Sequence, residues 1–278
     1  ELAQNISYGN IHEGVKMTVH RMSTIDDELR DRYDEASPPL LAISKQLQRS
    51  ITRQLQDQRR GGKQTGLYMG RRLDIHSLPR NDGRVFSKMS LPNETPELAL
   101  ALLLDESGSM GCGSRATYAR ASAIILYDFC QSLGIPVMVY GHSAYSGVEL
   151  YSYAEFDSID KLDRYRLMDI SARGNNRDGA ALRFVAEQLA KRPEDIRLLI
   201  LVSDGQPADS GYYGTAAEED LRGIKTEYRR KGICFVAAAI GDDKDSIERI
   251  YGDAYMDISD LHTLPITLTN VVKRFIRT

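Results

Sequence analysis

Two apolar runs in this chain end on a carboxylate. ELALALLL at 97–104 leads into Asp105, and IRLLILVS at 196–203 leads into Asp204. Runs of this length are too short to span a bilayer and too uniformly apolar for a strand with one wet face. They fit strands buried on both sides of a sheet. Between and after them the chain changes to a 3.6-residue period, so strands alternate with helices.

That alternation can be followed from residue 97 to the end. ATYARASAIILYDFCQSL at 116–133 has helical spacing and stops at Gly134. GIPVMVYG at 134–141 is a second buried strand, and GVELYSYA at 147–154 alternates as a third. Helices are expected at 179–192, 216–232 and 264–278, with further strands at 196–205, 233–241 and, at an edge, 254–259. Helices between successive strands predict an α/β fold: a doubly wound, mostly parallel sheet with helices on both faces. Residues 1–95 differ. A long helix is expected at roughly 39–60, with Leu40, Ile43, Leu47, Ile51 and Leu55 on one stripe, followed by a turn-rich Arg/Gly segment. The expected division is an N-terminal helical and irregular extension at 1–95 and the sheet domain at 96–278.

Composition narrows the classes. No window approaches 18 consecutive apolar residues, so no membrane span is expected. The first ten residues have neither a basic nor an apolar signal-like region, and the absence of an initiator Met points to a fragment or processed piece. Three cysteines, Cys112, Cys130 and Cys234, are an odd number without a CxxC pair, which favours reduced thiols and a cytoplasmic setting. The formal charge of −3 hides an asymmetry: residues 45–90 hold eleven Lys or Arg against three Asp or Glu. No aromatic residues interleave the basic ones there in stacking fashion, so a solvated face or a protein-docking surface fits it better than nucleic acid. Nothing in the chain fixes whether it forms an oligomer.

The chemistry gathers where the strands end. Asp105 offers a carboxylate, and Ser107 and Ser109 offer hydroxyls at alternate positions in a loop that Gly108 and Gly111 let bend. Asp204 ends the later strand, and Asn176 and Asp178 sit at a helix start. Hard divalent cations take oxygen ligands of these kinds. On a parallel sheet all three loops fall at the carboxyl edge, where ligands bind. The simpler alternative is that Asp105, Asp178 and Asp204 only cap helices.

In order, DESGS after an apolar strand, a polar residue before GAAL, and a strand ending in SDG resemble the von Willebrand factor A domain and its metal-ion-dependent adhesion site. The resemblance covers residues 97–278. It implies a magnesium ion, with manganese or calcium as alternatives, held by Asp105, Ser107, Ser109 and Asp204. At the position where the family usually has Thr, this chain has Asn176, with Asp178 two residues on. Glu106, Met110, His142, Gly205 and Gln206 are then expected beside a partner. The NxDG variant, the Arg/Gly-rich segment at 53–78 and GHS at 141–143 are similar to the intracellular branch containing the cobaltochelatase CobT subunit of cobalamin biosynthesis and NorD. That resemblance implies an accessory subunit, itself not catalytic, that works with a MoxR-type AAA+ ATPase in metal insertion or maturation of a client protein.

Other readings compete. GHSAY at 141–145 approaches a nucleophile elbow, but Tyr145 stands where Gly is needed. GSMGCGS lacks the G-K-[ST] of a phosphate loop. A metal-dependent enzyme, a hydrolase or chelatase core, would need a general base near the ion, and His142 is the candidate. An extracellular adhesion domain of the same fold would leave the unpaired cysteines unexplained. Tyr145, Tyr151, Tyr153, Tyr212 and Tyr213 are expected near the same face, either as a recognition surface or as half-packed side chains.

Overall fold

The computed structural model describes residues 3–4, 6–59, 62–69, 72–80, 84–90, 97–205, 207–240, 244–258 and 260–276. The boundary expected at 95/96 lies outside the described residues. The chain divides into two compact units, Glu1–Gln48 with Glu97–Thr278, and Arg49–Pro96.

The larger unit is built on a seven-stranded sheet. In chain order its strands are β1 (Met17–His20), β2 (Leu98–Asp105), β3 (Val137–Ala144), β4 (Val148–Ala154), β5 (Ile196–Ser203), β6 (Ile233–Ala239) and β7 (Tyr255–Asp257). Their order across the sheet is β1-β4-β3-β2-β5-β6-β7. The strands from β3 to β7 across this order are parallel. β4 turns back antiparallel to β3, and β1 lies parallel to β4 at that edge. After β2 the chain builds outward to β3 and β4, then returns to lay β5 on the other side of β2. The order therefore reverses between β2 and β5, and a crevice opens at their carboxyl ends. Asp105 is the last residue of β2, and Asp204 directly follows β5.

All eight residues of β2 are buried. Ala99, Ala101 and Leu103 join a cluster with Leu182, Val185, Leu221 and Ile224. That cluster includes helices α3 (Asp178–Ala190) and α4 (Gly214–Arg230). Leu100, Leu102 and Leu104 point to the opposite face, where α2 (Arg115–Leu133) packs on the central strands. Each fully buried Leu contributes about 2 kcal/mol, so the strand that carries Asp105 is firmly fixed. Among the described residues no helix is long and apolar enough to cross a membrane.

The N-terminal region departs from expectation in two ways. Its helix runs Asp27–Arg59, starting well before residue 39, with Pro38 and Pro39 inside it. Asp26 Oδ1 accepts the Leu29 N–H at 2.8 Å and caps the true start. Leu29 and Tyr33 bury one stripe ahead of the prolines, so packing outweighs the two lost N–H donors. The second unit holds a three-stranded antiparallel sheet of Gly62–Leu67, Arg72–Leu73 and Phe86–Ser90, with the last strand in the middle.

The cysteines are unpaired: Cys112 is exposed, Cys130 buried and Cys234 half-buried. Burial pushes the Cys130 thiol far up and the Cys234 thiol up to about 11. Because the thiolate is the reactive form, a thiol reagent under native conditions is expected to modify Cys112 promptly, Cys234 slowly and Cys130 only after unfolding. Peptide mass mapping would show this, and early modification of Cys130 would contradict the packing of α2.

Candidate metal-binding site

Asp105 ends β2 with its carboxylate turned into a ring of donors. Oδ1 accepts the Ser107 N–H at 2.8 Å, and Oδ2 accepts from Asn176 Nδ2 at 2.7 Å and Ser203 Oγ at 3.0 Å. Burial, and next the charge of Asp178, push its carboxyl up to about 6, with His142 opposing. The chain then makes a 3-10 turn at Gly108–Gly111. This turn brings the two hydroxyls together: Ser107 Oγ and Ser109 Oγ are 2.9 Å apart, and Ser109 Oγ donates to Asp204 Oδ1 at 3.0 Å. Gly108 N–H donates to Gly174 O at 2.7 Å, tying this loop to the one before α3.

These residues form one continuous set of oxygens at the point where the strand order reverses. The Ser107–Ser109 and Ser109–Asp204 separations of 2.9 and 3.0 Å are hydrogen-bond distances, and neighbouring oxygens around a bound divalent cation lie at about the same spacing. Among the described residues no group of three or more His, Cys, Asp or Glu is gathered as a metal cluster. The donor set here consists of two carboxylates and two hydroxyls, the hard-oxygen type.

Asn176 and Asp178 lie behind this set. Asn176 uses both ends of its amide: Nδ2 donates to Asp105, and Oδ1 accepts the Asp178 N–H at 3.0 Å, which caps α3. Asp178 turns inward, with Oδ1 3.0 Å from His142 Nε2. That separation is an ion-pair distance without hydrogen-bond alignment, and neither His142 ring nitrogen finds a hydrogen-bond partner. Burial lowers the His142 pKa, but Asp178, then Asp105 and Glu106, outweigh it and raise it overall.

The partner-facing residues need correction. Glu106 and His142 are 1% and 0% exposed, and Met110 is buried as well. Glu106 accepts from Tyr153 Oη and from Arg173 Nε at 2.5 Å. Burial pushes its carboxyl up to about 7 against those two partners. Glu106 follows the last residue of β2, and its side chain turns inward onto Tyr153 and Arg173. His142, paired beside Asp105 in the β2–β3 register, is sealed from solvent. Gly205 is half-buried. Gln206 lies outside the described residues. The tyrosines divide: Tyr145 and Tyr213 are exposed, Tyr153 and Tyr212 are buried, and Tyr151 stacks under the Arg173 guanidinium at 4.0 Å.

Sequence reasoning missed Ser203 and Arg115. Ser203 was visible in SDG and donates to Asp105. Arg115 Nη1 donates to Asp204 Oδ2 at 2.7 Å. Its signal was a basic residue at a helix start, where an acid is favoured.

A family model described as von Willebrand factor type A domain matches residues 99–258. The chain is 22% identical to "Uncharacterized protein YojO" of Bacillus subtilis (strain 168), over 91% of this chain and 42% of that protein. It is 25% identical to "Protein NorD" of Brucella melitensis biotype 1 over 62% of this chain and 25% of NorD. The chain thus spans less than half the length of these curated relatives. Among solved structures, the vWF domain of the type V pili tip protein Mfa5 from Porphyromonas gingivalis is similar, with a TM-score of 0.50 and 11% identity. That match covers 66% of this chain and 97% of the Mfa5 domain, and shows the fold.

Proposed function

This chain belongs to the von Willebrand factor type A domain family, and on that premise we propose that it is a protein-binding module whose contact depends on a divalent cation. The observation that carries the proposal is the oxygen run Ser107–Ser109–Asp204, spaced at 2.9 and 3.0 Å at the carboxyl edge. Asp105, Ser107, Ser109 and Asp204 would hold the ion. Asn176 orients Asp105 from behind, and Asp178 supports the helix start and pairs with His142. Bound there, magnesium would supply positive charge on which a partner's carboxylate can close. Gly108 and Ser109 are exposed, so the protein leaves that side open.

The finer proposal is an accessory role: work with a MoxR-type AAA+ ATPase in metal insertion or maturation of a client, in the cytoplasm. It rests on the resemblance to the CobT and NorD branch, with the 25% identity to NorD as support. Three unpaired cysteines agree with a reducing compartment.

Calorimetric titration tests the site. Magnesium or manganese is expected to bind the wild-type protein, with calcium titrated alongside as the comparison ion. Absence of any divalent binding would remove the metal reading. Capture of an AAA+ ATPase from lysate in magnesium but not in chelator would support the finer role, and equal capture in both would overturn it.

A further inference from the structure

We infer that Arg115 is an internal counter-cation that competes with a divalent ion for Asp204, so that the site loads by exchanging a guanidinium for the metal. This rests on the metal reading above. Arg115 Nη1 lies 2.7 Å from Asp204 Oδ2, while Ser109 Oγ holds Oδ1 at 3.0 Å. Both carboxylate oxygens are therefore engaged. The Asp204 side chain is 5% exposed and that of Arg115 17%, so their attraction is only partly screened. A divalent ion on the same carboxylate and the guanidinium would repel each other at this range.

Helix energetics disfavour a cation at this position. Arg115 is the first residue of α2, where the helix dipole opposes positive charge. The first turn has no acid, and Ser114 makes no side-chain cap. The two residues before it, Gly113 and Ser114, both adopt left-handed φ, at 56° and 64°. Glycine accepts that conformation readily, but Ser does not. Ser114 and Asp157 are the non-glycine residues with positive φ among those described. A tight turn, a missing cap and a cation at the wrong helix end coincide at the residue that contacts Asp204. Such clustering of unfavourable local choices marks functional positions. As Arg115 is partly exposed, its side chain can leave Asp204 for solvent while α2 stays in place.

The test is magnesium titration by calorimetry into wild type, Arg115→Gln and Arg115→Lys, with thermal melts of each protein in chelator and in magnesium. Without the competitor, Arg115→Gln is expected to bind magnesium about tenfold more tightly, the scale of one charged hydrogen bond. Arg115→Lys, which keeps charge without the planar fork, should fall between. In chelator Arg115→Gln should melt below wild type, and magnesium should raise its melting temperature by the larger increment. Binding by Arg115→Gln but not by wild type would also support the exchange. Unchanged or weaker affinity in Arg115→Gln, with wild type binding, overturns the exchange and leaves the metal reading intact. Failure of all three proteins to bind overturns both. If Arg115→Gln does not fold, the comparison of Arg115→Lys with wild type decides: tighter binding supports the exchange, equal or weaker binding overturns it.

Discussion

Asp105→Asn is expected to stay folded and to lose divalent-cation binding. The carboxylate is the centre of the site: it takes the Ser107 N–H, the Asn176 amide and the Ser203 hydroxyl. Its carboxyl is raised to about 6, first by burial and then by Asp178. Its charge is thus unfavourable in the metal-free fold, the electrostatic condition that a bound cation relieves. The neutral amide escapes that repulsion but gives up an acceptor for one of the three donors, so its stability should stay within about 1 kcal/mol of wild type. Asp105→Ala leaves all three donors without the carboxylate and should cost about 1–3 kcal/mol or more. In both variants the affinity for magnesium should fall by more than about a hundredfold, since residues that merely orient a ligand already account for 10- to 100-fold. Calorimetry with circular dichroism reads both quantities. Binding of wild-type strength in a folded Asp105→Asn protein would falsify the metal site.

The sheet domain was legible because its strands are long, continuous and apolar. β2 and β5 need no context to be recognised as strands buried on both faces, and their terminal acids follow directly. β1 was not legible. MTVH is four residues with two exposed side chains, and only its pairing with β4 makes it a strand. The helix start at Asp27 was hidden by Pro38 and Pro39, whose local cost is outweighed by tertiary packing. At the site, chain order exposed the oxygens of Asp105, Ser107, Ser109 and Asp204. It could not show which way a side chain turns after a strand ends. The resemblance placed Glu106 beside a partner, but its side chain is buried, as is that of Asp105. Arg115 was hidden for another reason, since its partner is far away in sequence and its own position favours an acid.

Gly141→Ala should be the most damaging small substitution in the core of the sheet. Gly141 lies in β3 beside Leu104 of β2 and Tyr151 of β4. An added Cβ would stand 2.0 Å from Glu106 Oε1, 2.6 Å from its Cδ and 3.0 Å from Tyr153 Cε2. Glu106 cannot retreat. Its backbone N–H donates to His142 O at 2.9 Å, its carbonyl accepts the Arg173 N–H at 2.6 Å, and its carboxylate holds Arg173 and Tyr153. The Gly of the elbow-like GHS run is therefore room for a buried carboxylate and not the bend of a nucleophile turn. The clash, with partial loss of the ion pair, should cost about 3 kcal/mol. Glu106→Ala alone leaves the buried Tyr153 hydroxyl without its acceptor, while Arg173 keeps Asp169, and should cost about 1–3 kcal/mol. In the double variant the methyl occupies the space the carboxylate left, so the two costs should fall short of their sum by about 1–3 kcal/mol. Denaturant unfolding of the four proteins measures this coupling. Strict additivity would mean that Gly141 is required for its backbone and not for the space that Glu106 fills.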